Sequence, residues 1–260
     1  MKVKPKSPHE LKLMRKSGLI TAKALKKTLE AVKAGVSLIE LDDIAREEIL
    51  RLGGNPSFMS VPGYEWTTCL TVNDEVVHGI PRDVILKDGD VLGIDLGAVY
   101  QGYHTDAAWS ILVSEEGRVK SEESEKKERF LEVGEKALWD GIKQAVEGNK
   151  IGDISEAIQS EVERRGGYSV VRSLVGHGVG KNLHEEPEVP GFGKAGTGLK
   201  LMKNMTLAIE AIYTEGKSGV VMDSDGWTIR SEDGTLGGLF EMSIIVLKDK
   251  AEVLTDWRGV

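Results

Sequence analysis

Residues 91–111 read Val-Leu-Gly-Ile-Asp-Leu-Gly-Ala-Val-Tyr-Gln-Gly-Tyr-His-Thr-Asp-Ala-Ala-Trp-Ser-Ile. Residues 94–99 and 103–109 have the composition of strands, and Tyr100, Gln101 and Gly102 have that of a turn, so the stretch predicts a β-hairpin. Symmetric closure would pair Val99 with Gly102, Gly97 with His104 and Asp95 with Asp106. The two carboxylates would then face each other on one side of the sheet, Cβ atoms about 5 Å apart. Like charges so placed repel. Either one of them is a solvated edge residue, or a divalent cation lies between them.

The rest of the chain bears on that choice. Its 260 residues can bury a sizeable core, and 40% hydrophobic, 29% charged and 31 glycines describe a turn-rich globular protein. A formal charge of −8 argues against specific nucleic-acid binding. Lys2, Lys4, Lys6, Lys12, Arg15 and Lys16 have no apolar block behind them, so no secretory signal is expected, and no apolar run is long enough to span a membrane. The expected location is cytoplasmic. Cys69 is the single cysteine, which excludes a disulfide framework and a Cys-rich zinc site.

Leu11, Met14, Gly18, Ala22, Leu25, Leu29 and Val32 recur at helical spacing and predict a long amphipathic helix stopped at Gly35. A second helix follows, opened by the capping box Ser37-Leu38-Ile39-Glu40, faced by Leu41, Ile44, Ile49 and Leu52, and closed by Gly53-Gly54. After a charged connection over 114–129, the plan returns. Leu131, Leu138, Ile142 and Ala145 mark a third helix ending near Gly148, and Asp153-Ile154-Ser155-Glu156 is expected to cap a fourth that stops at Gly166-Gly167.

At a constant offset Gly35 falls on Gly148, Glu48 on Glu161, and Arg51 on Arg164. Leu92-Gly93-Ile94-Asp95 has a counterpart in Leu207-Ala208-Ile209-Glu210. Thr105-Asp106-Ala107-Ala108 has one in Phe240-Glu241-Met242-Ser243, and His78-Gly79-Ile80 one in His177-Gly178-Val179. We read an internal duplication with halves at approximately 8–113 and 126–248, related by a pseudo-twofold axis. They form a single catalytic domain over 1–260, because four carboxylates from both halves converge between them. So many acids in an interior cannot all ionise without cations. An oxygen-rich set with histidine suits Mn, Fe, Co or Zn, and it carries too many anionic ligands for one tetrahedral zinc. Two ions sharing carboxylates fit, and such a pair can activate water and polarise a carbonyl, which is hydrolytic chemistry.

Several motifs, taken in order, resemble those of methionine aminopeptidases. They are Asn73-Asp74-Glu75-Val76-Val77-His78-Gly79-Ile80-Pro81, the spaced Asp95 and Asp106, Gly176-His177-Gly178-Val179-Gly180, Leu183-His184-Glu185-Glu186-Pro187 and Ala208-Ile209-Glu210. The resemblance runs from the first helix to Glu241. It implies an α+β "pita-bread" fold, two pseudo-twofold-related halves of curved antiparallel sheet covered by helices. The activity it implies is removal of initiator methionine before a small second residue, by a water shared between metals. The compact length, without an N-terminal zinc-binding extension or a long helical insertion, resembles the bacterial type I form.

By that resemblance Asp95, Asp106, His177, Glu210 and Glu241 are the ligands of two divalent ions (Co, Mn, Fe or Zn), with Asp106 and Glu241 bridging. Glu210 also handles the proton of the attacking water. His78 and His184 contact the scissile amide and its carbonyl oxygen. Phe58, Tyr64, Cys69 and Trp227 form the methionine pocket. Expected partners are the N-terminal methionine of nascent chains and, as a candidate contact, the ribosome; the chain is expected to act as a monomer. His104 reads as a satisfied core residue and His9 as a surface one. The chain departs from the usual type I pattern in three places. Met242-Ser243 replaces His-Thr after Glu241, which would remove hydrogen bonds supporting the metals. Leu183 replaces an aromatic, and Phe58 and Val61 replace residues that are often Cys and Tyr in the pocket. The fold also occurs in proline-directed aminopeptidases, in a metal-free amidinohydrolase and in non-catalytic binding proteins; the intact ligand set argues against the metal-free forms.

Overall fold

A computed structural model describes residues 3–114 and 121–260. Of the charged connection, residues 115–120 lie outside the described residues.

The four helices form where the apolar spacing and caps require them: α1 Pro8–Glu30, α2 Leu38–Arg51, α3 Glu122–Gln144 and α4 Ile151–Gln159. Ser7 and Ser37 each accept from the backbone N–H three residues on, and Glu10 and Glu40 reach back to the cap N–H. Each such box is worth about 0.5–2 kcal/mol. The fourth helix starts earlier than expected. Its cap is Lys150, and Asp153 is the residue that reaches back, its Oδ2 accepting from the Lys150 N–H at 2.7 Å. At the predicted offset Lys150 falls on Ser37 and Asp153 on Glu40, so the repeat located this helix better than its own capping motif did. The helix then widens into a π-helical turn over Ser160–Arg165. That turn takes up one extra residue. The conformational counterpart of Gly53 (φ +82°) is therefore Gly167 (φ +78°), not Gly166.

The strands are β1 Asn55–Pro56, β2 Thr68–Val72, β3 Glu75–Val77, β4 Val91–Tyr100, β5 Tyr103–Leu112, β6 Ser169–Val170, β7 Gly176–Gly178, β8 Glu185–Val189, β9 Thr206–Thr214, β10 Val220–Met222, β11 Ile229–Ser231, β12 Gly237–Val246 and β13 Ala251–Val253. Among the described residues one sheet runs in the order β1-β4-β5-β12-β9-β7-β8, with β2 on β4, β6 on β9 and β13 on β12; β10-β11-β3 form a second, smaller sheet. The two halves thus join edge to edge at β5 and β12, where Glu241 stands opposite Ala108 and Met242 opposite Ala107. Helix α1 packs on β4 and β5, and α3 packs on β9 and β12.

The hairpin closes differently from the symmetric expectation. Its loop is only Gln101-Gly102, both at positive φ (+49° and +78°), between the paired Tyr100 and Tyr103. Two left-handed residues make the turn whose twist matches that of the strands. The register is therefore displaced by two: Asp95 stands opposite Ala108, and Asp106 opposite Gly97. A shift of two keeps both carboxylates on the same face but sets them diagonally, about 7–8 Å apart rather than 5. Glu210, by contrast, does stand directly opposite Glu241, so the strand register of the expected duplication differs between the two hairpin pairs.

Each acid sits between two residues that belong under the helices. Ile94 and Leu96 flank Asp95, Ile209 and Ala211 flank Glu210, and Phe240 and Met242 flank Glu241; these six are in the core shared with α1 and α3. Burying a large apolar side chain contributes about 1.5–3 kcal/mol. Alternation then leaves the acids no choice but the opposite face.

Candidate metal centre

On that face Asp95 (β4), Asp106 (β5), His177 (β7), Glu210 (β9) and Glu241 (β12) line one cavity of about 260 Å³, together with His78 and His184. His177 Nδ1 is 2.9 Å from the carbonyl of Gly178. A carbonyl only accepts, so Nδ1 carries the proton and Nε2 presents a lone pair to the cavity. Nε2 is 3.6 Å from Asp106 Oδ2 and 4.0 Å from Glu241 Oε1. These gaps are too long for hydrogen bonds. Two ligands each ~2.1 Å from one ion stand ~3.4–4 Å apart. Asp106, His177 and Glu241 can each offer one atom with all three within 4.8 Å of one another.

Asp95 and Glu210 line the same cavity outside that triad. Both keep some surface open to the cavity while protein surrounds their carboxyls. Among the described residues, two buried carboxylate oxygens have no hydrogen-bond partner, Asp95 Oδ1 and Glu241 Oε1, and both are here. Burial, with Asp106 and Glu210 nearby, pushes the Asp95 carboxyl far above the carboxylate range. Burial pushes Glu241 up likewise, and Asp106, Glu210 and Asp95 add to it. Burial raises Glu210 to about 7, with His177 opposing and Asp106 adding. Partnerless, mutually repelling acids around an imidazole lone pair are a donor set that a divalent cation satisfies. The predicted donors therefore fit a metal.

Histidines 78 and 184 are kept neutral chiefly by burial; His184 lowers His78 further, and His177 lowers His184 further. The His177 and His184 rings meet edge-to-face, centroids 4.4 Å apart. His78 is held at φ +59°, unusual for a residue with a Cβ, directly after β3. His104 is buried with Nδ1 2.7 Å from Ser57 Oγ, and His9 is exposed, both as expected.

The four expected pocket residues gather in the cavity wall. Phe58, Tyr64 and Cys69 are buried in one cluster with Leu183, against which Val61, Trp66 and Trp227 pack. Tyr64 and Trp227 meet edge-to-face at 5.0 Å, and the Tyr64 hydroxyl donates to the Thr68 carbonyl at 2.7 Å. Burial raises the Cys69 thiol, with Asp95 adding to the shift, so it is an unreactive wall residue.

Ser243 was undervalued by the sequence. Met242 points into the core, as Phe240 and Ile244 do two residues to either side. Ser243 reaches Asp106: its Oγ accepts from the Asp106 N–H at 3.0 Å, and its one proton can go to the Asp106 carbonyl at 2.9 Å or to Oδ1 at 3.1 Å. Its own N–H donates to Thr255 Oγ1 at 3.0 Å. A hydroxyl at the position of the usual Thr thus still reaches Asp106 across the strand pair. The signal available was the hydroxyl two positions after a predicted ligand.

Metallopeptidase family M24 matches residues 12–236, and the chain belongs to it. Relatives that it matches over nearly their full length include methionine aminopeptidases. That of Clostridium perfringens is 41% identical over 96% of this chain and 97% of the relative, and that of Bacillus subtilis is 40% identical over 96% and 98%. The crystal structure of methionine aminopeptidase from Thermotoga maritima superposes with a TM-score of 0.92 at 38% identity, covering 98% of this chain and 99% of that one. The fold is accordingly the pita-bread fold. Among the described residues no helix is long and apolar enough to cross a membrane.

Proposed function

We propose that this chain is a metal-dependent aminopeptidase that hydrolyses the N-terminal methionine from nascent proteins in the cytoplasm, preferring a small second residue. The observation that carries the reading is the joining, in one cavity, of a cation-seeking donor set and an apolar wall. Asp95, Asp106, His177, Glu210 and Glu241 are assigned as the residues that would hold two divalent ions. Such ions would supply the charge that keeps the carboxylates ionised, acidifies water and polarises the scissile carbonyl.

The protein groups do the rest. Glu210, on β9 in the cavity wall beside the other donors, is assigned to take a proton from the attacking water and return it to the leaving amine. His184, neutral and held beside His177, donates an N–H to the carbonyl oxygen as it gains charge. His78 orients the scissile amide. Phe58, Tyr64, Cys69 and Trp227 receive the thioether chain, whose flexibility suits an apolar slot closed by ring edges.

Methionine release from Met-Ala-Ser with added Mn, Co or Fe tests the reading. Release that stops on chelation and returns on metal addition is expected. Undiminished release after exhaustive chelation, with metal confirmed absent, refutes it.

A further inference from the structure

The connection between β7 and β8 carries Leu183 and His184 into the cavity; it is anchored at its start by Val179, whose N–H donates to the Thr206 carbonyl at 3.2 Å and whose carbonyl accepts from the Thr206 hydroxyl. The His104 N–H donates to the Gly180 carbonyl at 2.7 Å, and the Gly180 N–H to the Asn182 carbonyl at 3.1 Å. The Asn182 N–H donates to Glu185 Oε1 at 3.2 Å. That last contact depends on where the Glu185 carboxylate is held. Its other oxygen accepts from Lys6 Nζ at 2.7 Å.

Lys6 lies far away in sequence, in the segment that enters α1. Its backbone N–H donates to the Asn204 carbonyl at 2.8 Å, and the next residue, Ser7, is the α1 cap. Between these anchors the side chain crosses the loop at Gly180, where a Cβ would stand 2.5 Å from Lys6 Cε and 2.8 Å from Glu185 Oε1. The two charged side chains are only 12% and 21% exposed. A pair so withdrawn from water escapes much of the screening that makes surface pairs weak.

We propose that Lys6 is a positioning residue for His184 and Leu183, acting through Glu185 to hold the loop at the geometry that catalysis and methionine selection need. The proposal rests on the assignment of His184 to the scissile carbonyl and of Leu183 to the pocket wall. His177 does not share this dependence, because it is on β7 and paired with Ala208 of β9. Loosening the strap should therefore disturb turnover and selectivity without disturbing metal binding.

The test compares wild type with Lys6→Met, Lys6→Arg and Gly180→Ala, which crowds the lysine aside while leaving its charge. Kinetics are measured on Met-Ala-Ser and Leu-Ala-Ser, alongside calorimetric Mn titration and thermal melting. Lys6→Met and Gly180→Ala should lower kcat about ten- to a hundredfold with little change in KM, since an ångström of misplacement costs on that order. They should also narrow the preference for methionine over leucine and bind Mn as wild type does, while Lys6→Arg retains most of the activity. If Lys6→Met fails to fold, Gly180→Ala carries the test. Wild-type kcat and selectivity in the folded variants, a loss confined to melting temperature, or metal affinity falling in step with activity overturns the inference. A wild type inactive on both peptides overturns the functional reading itself, and the inference with it.

Discussion

Replacing Glu210 by glutamine should stabilise the metal-free protein above pH ~4.5, by an amount that grows until about pH 7. The folded-state carboxyl sits at about 7 against an ordinary value of 4.5. Because the folded value is raised, the folded protein holds a proton that the unfolded chain releases, and stability falls as pH rises between the two values. Below pH ~4.5 both states are protonated and the residue costs nothing; above pH ~7 both are ionised and the full cost is present. A separation of 2.5 pH units corresponds to about 3 kcal/mol. At about 2–4 °C per kcal/mol for a chain near this size, the variant should melt about 6–12 °C above chelated wild type at pH 8. Near pH 4.5 the two should melt together. Differential scanning calorimetry of both proteins in chelator across pH 4.5–8 is the assay. Equal melting at pH 8, or a gain that is the same at pH 4.5, would falsify the claim that buried charge is the cause. Metal should reverse the order: added Mn at pH 8 should raise wild type well above its chelated state and move the variant far less.

Asp106→Asn should weaken binding of metal and reduce activity to background; calorimetric titration that shows wild-type affinity would count against its assignment. His184→Ala should keep its metal and lose about 10²–10³ in kcat, whereas His177→Ala should lose metal first, and the opposite pattern in parallel titrations and kinetics would exchange the two roles. Peptides beginning Met-Ala should be cleaved and those beginning Met-Lys poorly, so comparable kcat/KM for the two would remove the specificity assignment. Ser243→Ala should lower metal affinity about 10–100-fold, the usual effect of losing a group that orients a ligand, with Ser243→Thr restoring it; unchanged affinity in Ser243→Ala would make the hydroxyl merely structural.

The parts of the fold that were legible in the sequence are those set by local chemistry. Ser37 and Glu40 announced a capping box because both halves of the motif lie within one turn. The acids of the site were legible because each interrupts an apolar strand and recurs in the second half. The hairpin register was not, because Gln101 gives no sign that it will take a left-handed conformation alongside Gly102, and that choice moved Asp95 from Asp106 to Ala108. The π-helical turn at Ser160–Arg165 was equally hidden, since the apolar spacing survives one added residue. Lys6 and Ser243 act through partners 179 and 137 residues away, and no local pattern marks such contacts.

The meeting of β5 and β12 has a consequence for how such a protein avoids sticking to its neighbours. Without β12, the long strand β5 would be an open edge, a row of unpaired N–H and C=O groups ready to recruit any passing chain. Across the seam the strands pair at Glu241–Ala108 and Met242–Ala107, the Ser110 and Ser243 hydroxyls bond to the facing backbone on either side, and β13 covers Ile244–Val246 of β12. The same line along the sheet carries Asp106 and, across the seam, Glu241. The seam that shields this edge from passing chains is thus also the place where acids from β5 and β12 come together.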